Sequence, residues 1–436
     1  MSQEPRVKMG QDRLAEGKEN KPAAAAEPAK KRTVPSGVLW FTVGNSMQAG
    51  TTVLMTMLTG YVLDLASVGI FSFALMASQL LYTVGLFGAN DLQMTDYDHR
   101  YRFGDYFKVK VVSTLTAMLI CFILPGLLGL HGRKMACLFL LTTYMLINSA
   151  AELYQSMLFQ AQRLDLSGKM LFFRMTVSLA GFAVVILIKR SLLQACAVLL
   201  SVNFAATCFS VRRWCGAYRD SPCILRDGKE KELFIESFPL CLSVLGFLLN
   251  INAPKFLINY FLTDEIQGIY TILFMPVYAV NLISQFIFKP YLIKYARNLE
   301  KQDGSFEKLL LSQTLFIGLC AGLAAFGMWL LGPWLLKLLF SKDLTAYRGW
   351  MGVFMVSGGL MALNQLCYYL LVLLKRQKMI LANYSVGIIV SFTAGIAVIP
   401  HAGIMGTWLA FTLGQTSLLA GYGMALRSGI KKRLCD

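Results

Sequence analysis

Ionisable and amide side chains set inside apolar runs are where this sequence can do chemistry. The stretch "LLNINAPKFLINY" (248–260) places Asn250, Asn252, Pro254 and Lys255 within six positions. A charge at the centre of a membrane helix costs about 2.5–3.5 kcal/mol on insertion scales, so Lys255 needs a partner or water. Glu152, in "NSAAELYQS" (148–156), has the same need. Helical neighbours lie three or four residues apart, and on that spacing polar groups gather into stripes. Asn45, Gln48 and Thr52 form one. Asn148, Glu152 and Gln155 form a second, and Asn281, Gln285 and Lys289 a third. Asn364, Gln365 and Tyr368, then Thr407 and Gln415, complete the set. Such groups either hydrogen-bond a neighbouring helix, typically for about 0.6 kcal/mol, or line a hydrated cavity. For Lys255 the alternatives are a cavity cation, a lysine snorkelling to the outer interface, or a salt bridge with Glu152. Pro254 removes a backbone donor and clashes with the carbonyl of Asn250. A carbonyl freed in this way is tolerable against water or protein and not against lipid. The combination predicts a helix lining a wet cavity, with Pro254 as its hinge.

The elements that must position these groups are membrane helices. Of 436 residues, 56% are hydrophobic and 15% charged, against about 25% charged in soluble domains. Mean hydropathy is +0.56. Apolar runs near the ~20 residues that cross a bilayer predict twelve spans. They fall at about 36–61, 67–90, 107–130, 135–158, 167–188, 191–211, 234–261, 266–289, 309–332, 346–374, 379–399 and 402–426. The expected fold is an all-α integral membrane protein of two six-helix bundles, 36–213 and 232–426, with a cytoplasmic linker at 214–231. Residues 1–35 hold "KPAAAAEPAKKR" and almost no bulky apolar side chains, so a disordered cytoplasmic tail is expected there, with a basic tail at 427–436.

Most of the 41 Lys and Arg cluster in the two tails and in the connections 91–110, 163–174, 212–231, 289–308 and 375–378. Positive charge stays inside, so both termini are expected to be cytoplasmic. The net charge of +17 then follows from orientation and from contact with anionic lipids; nucleic-acid binding is not implied. "YVLDLASVGIFS" (61–72) also resembles "YFLTDEIQGIYT" (260–271) at an offset of 199 residues, with Tyr61, Leu63, Gly69 and Ile70 matching Tyr260, Leu262, Gly268 and Ile269. Both segments join the first and second helices of a half, which predicts a parallel repeat with the substrate at its interface.

Enzyme chemistry is disfavoured. The ten cysteines form no CxxC pair and mostly sit in apolar runs, three histidines are scattered, and no metal or other cofactor is expected. There is no GxxxxGK[ST] loop and no Ser–His–Asp or Cys–His set. Only Asp91, Asp96, Asp98, Arg163 and Asp165 could act at the membrane surface, and the aqueous connections are too short for a catalytic domain.

Several longer segments together carry a resemblance. "SVGIFSFALMASQLLYTVGLFGANDLQMTD" (67–96), "RFGDYF" (102–107), "AELYQSMLFQAQRLDLSGK" (151–169), "NAPKFLINYFLTDEIQGIYTILFMP" (252–276) and "FIFKPYL" (286–292) resemble bacterial polysaccharide transporters, and more narrowly the Wzx-type flippases of lipid-linked oligosaccharides, relatives of the MATE exporters and MurJ. The resemblance implies two bundles in a V and a central cavity for the headgroup of a polyprenyl-pyrophosphate glycan. It also implies alternating access across the bacterial cytoplasmic (inner) membrane, driven by an ion gradient (H+ or Na+) or by the membrane potential. A glycan polymerase complex and the membrane lipids are the partners it suggests. A pyrophosphate wants fixed cations, for which Lys255 and Lys289 are the candidates, and the amides of Asn45, Gln48, Asn148, Asn250, Asn252, Asn281 and Gln285 suit sugar hydroxyls. Family members often carry Arg where this chain has Tyr61 and Ala89. The first bundle is therefore expected to be short of cations, which puts more weight on Lys255. A MATE-like multidrug/cation antiporter is the alternative, although a cationic cargo wants acidic cavity residues and Glu152 is the main one. A non-transporting scaffold is a third reading.

Overall fold

In hydrocarbon the backbone finds no water, so a chain of apolar runs must close its hydrogen bonds within helices. The computed structural model describes residues 34–96, 98–216, 228–301, 305–374 and 376–435, and these hold helices and no strand. The helices are α1 (Val34–Val62), α2 (Leu65–Leu86), α3 (Ala89–Thr95), α4 (Phe103–Leu128), α5 (Gly132–Gln160), α6 (Leu164–Lys189), α7 (Leu192–Ser210), α8 (Glu230–Phe261), α9 (Asp264–Lys301), α10 (Ser305–Phe340), α11 (Arg348–Leu373) and α12 (Gln377–Cys435). Among the described residues nine helices are long and apolar enough to cross a membrane, α1 and α9 not being among them. α12 is two rods, broken at Gly403 (φ 53°, ψ −124°) just after Pro400. With α1, α9 and this break counted, the twelve expected rods are present. The tail expected at 1–35, apart from the start of α1, and most of the linker expected at 214–231 lie outside the described residues.

Some boundaries differ from expectation. The second span, expected to run to residue 90, stops at Leu86. Phe87 (φ 56°) and Gly88 (φ 69°) are both left-handed, and α3 begins beyond them. The third span starts at Phe103 and not at 107, because the Asp105 carboxylate accepts the Arg102 backbone N–H at 3.0 Å and fixes the first turn.

The two halves meet at both ends. At the α1–α2 end, a Cβ on Gly69 would lie 1.8 Å from the Asp264 carbonyl oxygen and one on Gly268 2.1 Å from that of Leu65. The Thr271 hydroxyl donates to Ser72 Oγ at 2.8 Å, across a separation of 199 residues, the offset of the sequence repeat. Lys134 pairs with Asp264. At the opposite, basic end, the Phe87 ring stacks on Phe234 with centroids 4.2 Å apart. Arg100 there pairs with Glu232 and with Glu236 at 3.0 Å, and the Tyr101 hydroxyl donates to Glu236 at 2.8 Å.

Asp96 organises the loop that presents Arg100 and Tyr101. Its carboxylate accepts the backbone N–H of Arg100 at 2.8 Å and of Tyr101 at 3.0 Å, and the Tyr106 hydroxyl at 3.1 Å. Burial works against the charge, but these donors hold the Asp96 carboxyl below its ordinary value. Burial, and next the bond to Glu236, push the Tyr101 hydroxyl up to about 12.

Two predictions follow from these contacts. Cysteines at Ser72 and Thr271 should form a disulfide under mild oxidation, seen as a fragment-linking band after proteolysis between the halves, since the two side chains touch across the halves. Asp96→Asn should speed amide exchange in residues 98–102. In the wild type the same protection is complete above the ordinary carboxyl value near pH 4 and is lost as the pH falls through the lower folded value of Asp96; exchange against pH reads both.

Candidate functional site

One face of α1 is polar and open. Thr42, Asn45, Ser46 and Ala49 are exposed at i, i+3, i+4 and i+7 spacing, and nothing lies within 4 Å of where a Cβ would stand on Gly50. Asn45 is tied only to its own helix, donating to the Phe41 carbonyl at 2.7 Å. A polar face on a membrane helix suits water and not lipid, which is what a helix lining a hydrated cleft requires.

Glu152 on α5 stands half-buried beside that face. Its carboxylate accepts the Tyr82 hydroxyl from α2, Gln48 Nε2 from α1 at 3.2 Å and Asn90 Nδ2 from α3 at 3.4 Å. One turn earlier on α5, Asn148 is buried and bonded away from the cleft. Its Oδ1 accepts an Arg174 Nη2 proton and Asn203 Nδ2 at 3.1 Å. Gln48 and Glu152 are thus brought together, while Asn148 belongs to a layer behind them.

That layer corrects the expectation of a first bundle short of cations. Arg174 is fully buried, with Nε donating to Thr207 Oγ1 at 3.0 Å. Lys110 is 4% exposed and donates to the Gly85 carbonyl and Ser149 Oγ, each at 3.1 Å. Both fall in the stretches 91–110 and 163–174, expected as basic connections, which overlap the starts of the third and fifth spans; α4 and α6 carry them inside the helices. The signals that would have found them are the Asp105 cap and the small-residue pattern at Gly168. There a Cβ would lie 2.2 Å from the Trp40 carbonyl oxygen, which seats α6 on α1 and places Arg174 well inside the helix.

In the second bundle the NAPK segment divides into two faces. Asn250 points away from α9 and accepts Gln415 Nε2 at 2.7 Å, and Asn364 Nδ2 donates to Gln415 Oε1 at 2.8 Å. These amides line a small pocket with Gln365, Tyr368, Tyr384 and Tyr422. Asn250 Nδ2 and Asn364 Oδ1 there have no partner among the described residues. On the other face, Asn252 donates to the Leu248 carbonyl at 2.9 Å and accepts from the Tyr278 hydroxyl at 3.4 Å. Lys255 is 7% exposed, its Nζ 5.5 Å from the centroid of the Tyr278 ring. It neither reaches an interface nor pairs with Glu152; among the described residues it makes no ion pair. α8 stays helical through Pro254. α9 carries Asn281, Gln285 and Lys289, whose side chains lie outside the described residues.

A search of solved structures identifies the class to which this architecture belongs. An inward-facing multidrug-resistance MATE transporter of the MOP superfamily matches with a TM-score of 0.68 at 11% identity, over 90% of this chain and 95% of that one. The lipid II flippase MurJ, inward closed, matches with a TM-score of 0.65 at 11% identity, over 91% and 90%. A MOP superfamily transporter from Pyrococcus furiosus, described as having a binding pocket of reverse polarity, gives a TM-score of 0.51 at 11% identity, over 92% and 95%. The fold is that of the MATE and MurJ transporters. Nothing among the curated proteins matches the chain. The polysaccharide biosynthesis protein family matches residues 34–296, more than half of the chain, and the chain belongs to that family. The resemblance drawn from its motifs is borne out at this level.

Gln415→Leu removes the donor to Asn250 and the acceptor of Asn364. Leaving both buried amides short should cost about 1–3 kcal/mol, and thermal unfolding in detergent should show the loss while Ser417→Ala stays near wild type.

Proposed function

We propose that this protein flips a polyprenyl-pyrophosphate oligosaccharide, a precursor of a cell-surface polysaccharide, across the bacterial cytoplasmic membrane by alternating access. The observation that carries this reading is Lys255, a cation held in a bundle wall against an aromatic face and away from any acid. A buried charge left without a counter-ion is expensive and marks function, and an anionic headgroup is the ligand it suits. A lysine is a point charge and not a fork, which suits a ligand that must also leave. Membership in a polysaccharide biosynthesis family and a fold shared with a protein named as a lipid II flippase support the same substrate class. The bundles 36–213 and 232–426 then act as the two moving bodies around the linker, with no enzymatic step. The potential or an H+ or Na+ gradient would drive transport.

The second reading, a MATE-like antiporter for cationic drugs, is favoured by Glu152 in the cleft wall. Lys255, Lys110 and Arg174 set the sign of the interior against it.

Deleting the gene should make lipid-linked oligosaccharide accumulate on the cytoplasmic leaflet; normal glycan with altered dye efflux would favour the antiporter. Lys255→Gln should lower flipping at least tenfold at equal expression, measured in proteoliposomes, and unchanged flipping would remove Lys255 from the site. Pro254→Ala should slow flipping several-fold through α8 and leave headgroup affinity near wild type.

A further inference from the structure

Glu152 presents a problem of sign. If the cleft takes an anion, as proposed above and as this inference presupposes, a carboxylate in its wall repels the cargo. The charges behind it resolve the difficulty. Arg174 is fully buried, bonded only to the neutral groups Thr207 and Asn148, and its Nη1 has no partner. Lys110 gives its ammonium to a carbonyl and a hydroxyl. Neither is among the ion pairs within 4 Å found among the described residues. Both are anchored on α5 just before Glu152, Lys110 through Ser149 and Arg174 through Asn148. Asn148, which holds the Arg174 guanidinium, precedes Glu152 by four residues of α5, about 6 Å along the axis. Glu152 is itself held by three neutral donors from α1, α2 and α3. Its charge is therefore compensated at a distance by two buried cations, and by no direct partner.

We propose that Glu152 is a built-in stand-in for the substrate's anion. In the empty transporter it occupies the positive field of Arg174 and Lys110 at the cleft wall. A pyrophosphate headgroup entering the cleft competes with it for that field. The carboxylate thereby caps the affinity of the site and lets the headgroup leave on the far side. A unit charge several ångströms away, at an effective dielectric between protein and water, changes an anion's binding constant roughly tenfold.

The test is titration of farnesyl pyrophosphate into the full-length protein in nanodiscs by calorimetry, with flipping of a fluorescent lipid pyrophosphate measured in parallel. Glu152→Gln should bind about tenfold more tightly and turn over more slowly. Glu152→Asp should stay near wild type. Arg174→Gln should bind more weakly, and Glu152→Gln with Arg174→Gln should return towards wild type. If Glu152→Gln does not fold with two uncompensated cations, the double variant is compared with Arg174→Gln alone, and the same tenfold gain is expected. Equal or weaker affinity after loss of the acid, in either background, overturns the proposal and leaves the flippase reading intact. A wild-type protein that neither binds the probe nor flips the lipid overturns both.

Discussion

Where α2 and α9 cross, their backbones touch: Gly69 and Gly268 each stand where a Cβ would meet a carbonyl oxygen at about 2 Å. Lipid tails are as apolar as leucine, so helices in a bilayer gain little by hiding side chains from them; close approach through small residues is what joins them. The contact is self-complementary across the repeat, as in a two-fold dimer, with Ser72 bonded to Thr271 and each glycine set against the other's helix. The rest of the arrangement hangs on this crossing. It fixes the start of α2, so the far end of α2 and the Asp96 loop are delivered to the first turns of α8, where Arg100 meets Glu232 and Glu236. It also fixes the start of α9 and hence the position of Tyr278 against Lys255.

Much of this was legible as periodicity. Apolar runs mark rods because a membrane permits little else, and the Gly69/Gly268 match marked the crossing, since only a glycine survives there. The residues of α8 were legible as out of place, but not which way each would face. Asn250 and Asn252 are two positions apart on a helix and so diverge, one to the Gln415 cluster and one to Tyr278. Arg174 and Lys110 were hidden for a different reason. Positive charge near a span end reads as a cytoplasmic connection, and only the caps at the helix starts separate a loop lysine from one two turns inside. Tyr82 and Asn90 carry no signal of their own; three helices must be packed before they meet at Glu152.

The two bundles solve the problem of interior polarity differently. In the second, amides bond one another around Asn250, Asn364 and Gln415, and Lys255 stands apart from them as an enclosed cation against the Tyr278 ring. The first is charged, with Arg174 and Lys110 enclosed and Glu152 at the open wall. Two buried cations and one half-buried acid are not balanced by contact, because the acid is bonded to neutral donors and the cations to neutral acceptors. Such an arrangement is tolerable only beside water or another charge, since desolvating an uncompensated ion costs several kcal/mol. Glu152 meets α1 through Gln48, beside the open polar face of that helix. A neutral cluster has no such requirement, and the pocket around Gln415 is lined by α8, α11 and α12 alone.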